Sequence, residues 1–180
     1  MVVLLLANGF EEVEALTVVD VLRRRNIDIR TVSVTMEKLV TGTHGIQVMA
    51  DLTANDVILK ELDMLILPGG MPGSLNLDAS QITDTLISAV IRNGGRIAAI
   101  CAAPLILGRR GLLDGKEATC YPGFENELKG AKTSEKPVVT DGNITTAKGM
   151  GVALEFALEL VRITLGEKTA NEIADSVMKA

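Results

Sequence analysis

The stretch Arg96-Ile97-Ala98-Ala99-Ile100-Cys101-Ala102-Ala103-Pro104 decides how the rest of the chain is read. Gly94-Gly95 opens it as a turn, and Arg96 to Ile100 is a short apolar run of the kind found in strands buried on both faces. Ala102, Ala103, Leu105, Ile106, Leu107 and Arg109 are helix formers that follow at once, and Pro104 suits a first helical turn, where its missing N–H is not needed. Cys101 therefore falls on a sharp strand-to-helix turn. The first helical amides and the helix dipole favour a thiolate there, which predicts a thiol pKa lowered from about 8.5 into the range of roughly 3.5 to 7.5. A small core residue is the other reading of a free cysteine, and position alone leaves both open.

Composition frames this turn. The chain has 180 residues, read as a single domain over 1–180, and is 47 % hydrophobic with only 2 % aromatic. A core built from Val, Ile, Leu, Ala and Met is that of a parallel sheet covered by helices. The net charge of −5 argues against nucleic acid or an anionic membrane as a partner. Arg23-Arg24-Arg25 reads as a solvated helix end that complements the dipole. No stretch reaches the roughly 20 apolar residues of a membrane span. Met1-Val2-Val3-Leu4-Leu5-Leu6 lacks a basic leader and reads as a first strand, not a signal peptide, so a cytoplasmic location is expected. Cys101 and Cys120 are expected to be free thiols.

Outward from the cysteine, the pattern alternates strands and helices. Val2 to Ala7 reads as a buried strand and Glu11 to about Arg25 as a helix with acidic residues first and arginines last. Its apolar stripe is wide, taking in Val13, Leu16, Val18, Val19, Val21 and Leu22. Glu14 stands in line with Val18 and Val21, which turns a carboxylate toward apolar neighbours, although first-turn glutamates are commonly exposed. Ile27 to Val34 is a second strand, and Glu37 to Ala50 gives two short extended segments around Thr41-Gly42-Thr43-His44-Gly45. Asp63 to Leu67 is a buried strand that ends in Pro68-Gly69-Gly70-Met71-Pro72-Gly73, where open α/β sheets place ligand loops. This cluster is neither a Walker loop nor a dinucleotide fingerprint; its backbone N–H groups can serve an oxyanion, or it is only a tight turn. Further on come a helix over Ser80 to Asn93, a strand over Glu117 to Tyr121 and a hairpin of Pro137–Asp141 with Asn143–Ala147. Two helices close the chain, Gly151 to Leu165 with Glu155, Glu159 and Arg162 on its wet side, and Lys168 to Met178. The sum is an α/β layer sandwich.

The chemistry available is narrow. Nucleophilic cysteines usually have a base beside them, most often histidine, and the lone His44 lies in a loop far from Cys101 in sequence. One histidine and two cysteines without clustered spacing predict no metal site, and no cofactor motif is present. A serine-hydrolase Gly-x-Ser-x-Gly elbow is missing, but an elbow with cysteine at its apex is not.

Three spaced motifs, Ala98-Ala99-Ile100-Cys101-Ala102-Ala103-Pro104, Leu67-Pro68-Gly69-Gly70 and Gly9-Phe10-Glu11-Glu12-Val13-Glu14, resemble the ThiJ/PfpI superfamily in its DJ-1 branch. Asp20-Val21-Leu22-Arg23-Arg24 and Leu154-Glu155-Phe156-Ala157-Leu158 extend the likeness nearly end to end. The resemblance implies a flavodoxin-like three-layer sandwich with a mostly parallel sheet, a homodimer, and Cys101 as a reactive elbow cysteine with Glu14 as its acidic partner. A carboxylate would repel a thiolate, so the pair makes sense with Glu14 protonated by burial and donating to the sulfur. The same hydrogen bond would hold a sulfinate and stop oxidation at that rung. By the same likeness, Gly70 and Ala102 supply the N–H groups of an oxyanion pocket, and Arg24 matches an arginine near the site. Departures from the pattern fall at His44, where the branch commonly has an arginine reaching the partner's site across the dimer, and at Tyr121, where the human member has a histidine. Ala102 replaces the histidine that follows the nucleophile in the protease branch, which removes a Cys-His-acid triad.

The resemblance implies a cofactor-free glyoxalase that converts methylglyoxal to lactate, or a deglycase, acting on a small aldehyde or dicarbonyl. The alternative is a redox-sensing stress protein or chaperone signalling through oxidised Cys101. An amidase or peptidase and the superfamily's thiamine-biosynthesis label are weaker expectations.

Overall fold

Short runs of Val, Leu, Ile and Ala alternating with helical segments fold into one seven-stranded sheet with helices on both faces. The computed structural model describes residues 1–179. The chain runs β1 (Val2–Leu6), α1 (Glu12–Arg23), β2 (Ile29–Ser33), β3 (Leu39–Thr41), β4 (Gln47–Met49), β5 (Leu52–Thr53), β6 (Met64–Leu67), α2 (Gly73–Asp78), α3 (Gln81–Arg92) and β7 (Arg96–Ile100). It continues through α4 (Pro104–Arg109), β8 (Glu117–Ala118), β9 (Lys132–Thr133), β10 (Val138–Asp141), β11 (Ile144–Ala147), α5 (Ala153–Leu165) and α6 (Glu167–Ser176). Strand order is β10-β11-β7-β6-β1-β2-β5. Every neighbouring pair is parallel except β10 with β11, whose Asp141-Gly142 turn makes the expected hairpin.

The two-residue period of the strands divides the core into two layers. Val2, Leu4 and Leu6 of β1 face α1, α5 and α6, where Val18, Leu22, Phe156, Leu160 and Ile173 pack. Val3 and Leu5 face the other way, toward Leu86 and Val90 of α3 and Leu105 and Ile106 of α4. Phe156 is fully buried and fills the first layer. Phe156→Ala is expected to destabilise the protein by about 3–5 kcal/mol, read as a lower urea midpoint at unchanged slope; a loss under about 1 kcal/mol would show that this layer can collapse onto the hole.

Some expectations are corrected. Val13 and Leu16 lie outside the buried stripe of α1, being 45 % and 37 % exposed, because the sheet covers only the face carrying Ala15, Val18 and Leu22. The helix after Cys101 starts at Pro104 and is only six residues long; 101–103 form a turn. The strand expected to run to Tyr121 stops at Ala118, because the next backbone amides bond elsewhere: Thr119 N–H to Thr146 Oγ1 and Tyr121 N–H to Cys101 O. Glu159 is not on the wet side; its carboxylate accepts from Thr140 Oγ1 and Arg162. A short helix, α2, grows out of the Gly/Pro cluster, where the sequence predicts only a loop.

Chain order places β2 on one side of β1 and β6 on the other. At this reversal of winding direction the loops leaving β1 and β6 diverge and leave a crevice at the carboxyl ends of the strands. The segments after β1, β6 and β7 carry Glu14, Gly69-Gly70 and Cys101 to that crevice.

Candidate functional site

Cys101 has φ +65, a left-handed conformation that a non-glycine residue rarely adopts. The surrounding backbone holds it there. Its N–H donates to Ala147 O at the end of β11, 2.9 Å away, and its C=O accepts from Tyr121 N–H at 2.8 Å. The turn lifts the side chain out of the sheet, half-buried, with the N–H groups of Ala102 and Gly70 directed at the sulfur. These are the two amides that the resemblance assigned to an oxyanion pocket. Gly70 reaches this position because the loops 9–11 and 69–73 are tied together: Glu11 N–H donates to Gly69 O and Gly73 N–H to Gly9 O. At φ +91 Gly70 also occupies backbone space open to glycine, and a Cβ there would strike Gly9 O.

Glu14, on the first turn of α1, is buried at 1 % exposure and meets the cysteine from the other side. Its Oε2 accepts from Gly69 N–H at 2.9 Å. Its Oε1 has no hydrogen-bond partner of ordinary geometry in the protein, and the Cys101 thiol is foremost among the groups that act on this carboxyl besides burial itself. An oxygen already accepting from an amide is the acceptor of the pair, so a proton on Glu14 belongs on Oε1, facing sulfur.

Electrostatics bear on the proton's place. Burial pushes Glu14 up to about 7. Burial, then the charge of Glu14, push the Cys101 thiol up to about 12, against the pull of the Ala102 and Gly70 amides. The expectation of a thiol lowered by a helix terminus is thus corrected: α4 starts three residues late and is too short, and burial, followed by the neighbouring carboxylate, outweighs the two amides. The two groups titrate as a unit. Its first proton leaves near pH 7, and the singly ionised pair includes the arrangement Glu14–OH beside Cys101–S⁻, in which the repulsion is gone and both amides favour the thiolate.

The other expected residues separate. His44, at the tip of the β3–β4 hairpin, is engaged with α1: its Nδ1 lies 2.9 Å from Glu12 Oε2, its backbone N–H donates to Glu12 Oε1, and Glu11 is 3.7 Å away. The hydrogen bond to Glu12 and the charge of Glu11 raise its pKa. Glu11, Glu12 and His44, with ligand atoms within 4.8 Å of one another, are the group among the described residues that could hold a metal ion. Glu12, at 3 % exposure, stood in the sequence only as a member of the motif Gly9 to Glu14, with no signal for its own role. Arg24 lies just past the far end of α1, paired with Asp20 at 2.8 Å, ten residues and so about 15 Å along the helix from Glu14. Within one chain it does not line the site. Tyr121 does: its ring lies across Gly149, where a Cβ would stand 3.3 Å from Tyr121 Cδ2, 3.7 Å from Cys101 Sγ and 3.8 Å from Glu14 Oε1. Gly149 carries no signal in the sequence; Gly69 lies in the Gly/Pro loop expected to bind a ligand, but its bond to Glu14 Oε2 and the room it leaves beside Cys101 come from the fold.

Fold and site together define an α/β protein with a half-buried cysteine on a strand-to-turn elbow and a buried glutamate against it. The DJ-1/PfpI family model matches residues 1–163, and the chain belongs to that family. It is 39 % identical over 170 residues to protein DJ-1 homolog B of Arabidopsis thaliana, covering 93 % of this chain but 39 % of that protein, so it spans well under half of that relative's length. It is 31 % identical over 173 residues to a Caenorhabditis elegans protein named glutathione-independent glyoxalase DJR-1.2, covering 95 % and 91 % of the two chains. Oxidized Toxoplasma gondii DJ-1 superposes with a TM-score of 0.95 at 32 % identity, covering 99 % of this chain and 98 % of that one. No helix among the described residues is long and apolar enough to cross a membrane.

Proposed function

We propose that the protein is a cofactor-free glyoxalase that converts methylglyoxal to lactate through Cys101. The observation that carries this reading is the Cys101–Glu14 pair: a half-buried sulfur at an elbow faced by the Ala102 and Gly70 amides, with the buried and otherwise unpartnered Oε1 of Glu14 beside it. The Cys101 thiolate adds to the aldehyde carbon, and the new alkoxide forms against the Gly70 and Ala102 N–H groups. Glu14 gives its Oε1 proton to that oxygen, leaving a hemithioacetal and a carboxylate. The carboxylate removes the proton from the former aldehyde carbon to form an enediolate, the hydroxyl proton passes to the neighbouring oxygen, and Glu14 returns its proton to the neighbouring carbon. The product is a thioester of lactate on Cys101, and water hydrolyses it, so one water enters and no oxidant or reductant is used. The named glyoxalase among the relatives supports this reading; a deglycase would start from the same thiolate.

Val13 and Leu16, exposed on α1 beside the hairpin whose His44 touches Glu12, are the apolar surface on which we place a homodimer contact. Both cysteines are free thiols, which suits a cytoplasmic location.

The test is the rate of lactate formation from methylglyoxal without added thiol, in wild type and Cys101→Ser. A loss of roughly a thousandfold or more is expected on substitution; wild-type turnover that survives it would end the proposal. A second reading, oxidised Cys101 as a stress signal, is favoured by the half-exposed sulfur facing two amides suited to sulfinate oxygens. Under that reading, mild peroxide gives a mass increase of two oxygens at Cys101 while methylglyoxal is not consumed.

A further inference from the structure

The glycine that exposes the sulfur also opens a second space. Gly149 borders an open surface hollow of about 310 Å³ whose walls include Tyr121, Pro122, Met150 and Val152. That volume is at the lower end of small-molecule sites, and a three-carbon ketoaldehyde would fill only a small part of it. Its lining is apolar. The one charged residue on the wall, Lys148, turns its ammonium away to Glu135 and presents its stem. Tyr121 and Met150 are about half exposed, so two large apolar side chains that line the hollow stand in water. Continuity comes from Gly149: the point where its Cβ would stand is within 4 Å of the Tyr121 ring, of Sγ and of Glu14 Oε1. A group bonded to a carbonyl under attack at Sγ can therefore pass over Gly149 into the hollow.

We infer that this hollow is a substrate subsite and that the preferred substrates are α-ketoaldehydes bearing a branched alkyl or aryl group on the ketone carbon. The inference rests on the glyoxalase reading and deepens it. The carbonyl pair sits between Cys101, the two amides and Glu14, and the apolar substituent leaves water to lie in the hollow against Tyr121 and Met150. Chemistry at the aldehyde is unchanged by the substituent, so the subsite acts on selectivity. Each buried methylene in such a pocket is worth about tenfold or more in kcat/KM.

The chain has one tyrosine and no tryptophan. Protein carrying 3-fluorotyrosine thus has a single fluorine resonance, sited in the hollow. The experiment pairs two readouts for 4-methyl-2-oxopentanal against methylglyoxal: kcat/KM for wild type and Met150→Glu, and titration of the fluorine resonance in Cys101→Ser, which cannot form the adduct. Expected are a wild-type preference for the branched substrate of at least about tenfold, a preference reduced toward one by Met150→Glu, and a saturable fluorine shift with the branched compound alone. Equal kcat/KM for both compounds, with turnover dependent on Cys101, would overturn the subsite and leave the glyoxalase reading standing. A saturable shift without turnover of either compound would support the subsite and remove the glyoxalase reading. A fluorine resonance that moves on dilution of the protein alone would assign the hollow to a second copy of the chain and overturn the inference, as would the absence of any selective shift.

Discussion

Glu14→Gln is expected to lower kcat for methylglyoxal by roughly 10²–10⁴, since it removes the group that carries the proton between carbons and leaves the shape of the site nearly intact. It should also make the protein more stable above neutral pH. The pKa of Glu14 rises from 4.5 to about 7 on burial, so the folded chain holds this proton more tightly than the unfolded one. Stability from this source is complete below about pH 4.5 and is lost as pH climbs to 7 and beyond. The difference corresponds to about 3 kcal/mol at pH 8, which the glutamine variant should regain, with no gain at pH 4. Urea unfolding of both proteins at the two pH values measures this. The pH profile supplies a second check: wild-type kcat/KM should rise through an apparent pKa near 7, where the pair loses its first proton, and stay flat toward 12. In the variant the limb near 7 should disappear. A glutamine variant with wild-type turnover would remove Glu14 from the reaction.

Gly69→Ala should be nearly as damaging, through packing. A Cβ at Gly69 would lie 2.5 Å from Cys101 Cβ, 2.5 Å from Glu14 Oε2 and 3.0 Å from Ile100 O. None of these can move freely, because the cysteine is pinned by β11, the glutamate is buried in α1 and the carbonyl ends β7. The expected cost is about 1–3 kcal/mol of stability, together with loss of the Gly69 N–H to Oε2 bond and a drop in turnover of about a hundredfold as nucleophile and acid are wedged apart. Denaturation and kinetics on the same preparation separate the two effects. Full activity would mean that the loop after β6 yields without disturbing the pair.

The layered fold was legible because its signals are local. The all-apolar runs Val2 to Leu6 and Ile97 to Ile100 read as buried strands, Asp141-Gly142 as a hairpin turn, and the acidic start and basic end of α1 as a helix. Glu14 was legible because helical spacing aligned it with Val18 and Val21, which are buried. What escaped depends on contacts between distant segments. Nothing near Gly149 or Gly69 in the chain tells that a methyl there would meet Sγ or Oε2. His44 and Glu12 are 32 residues apart, and only the fold of the β3–β4 hairpin against α1 joins them. The ionisation of Cys101 escapes for the same reason: sequence shows the turn and the amides after it, but the burial that raises the thiol comes from the fold, as does the nearness of the repelling carboxylate, 87 positions earlier in the chain. The wide stripe of α1 misled because apolar residues facing the sheet and those facing water, Val13 and Leu16, share one helical pattern.

The order of the strands also bears on how the protein behaves in a crowded solution. An open sheet leaves two rows of backbone groups along which other chains can add, the usual route to fibrous aggregation. Here one border is β5, only two residues long, which a foreign strand could grip at too few points to register. The other is β10, a four-residue strand that follows Pro137 and ends at Asp141, whose carboxylate accepts the Glu117 N–H from the neighbouring β8 segment. A chain that keeps a reactive thiol in an open sheet thereby offers little template for growth at either border, and high concentrations of the folded protein should remain free of ordered aggregates.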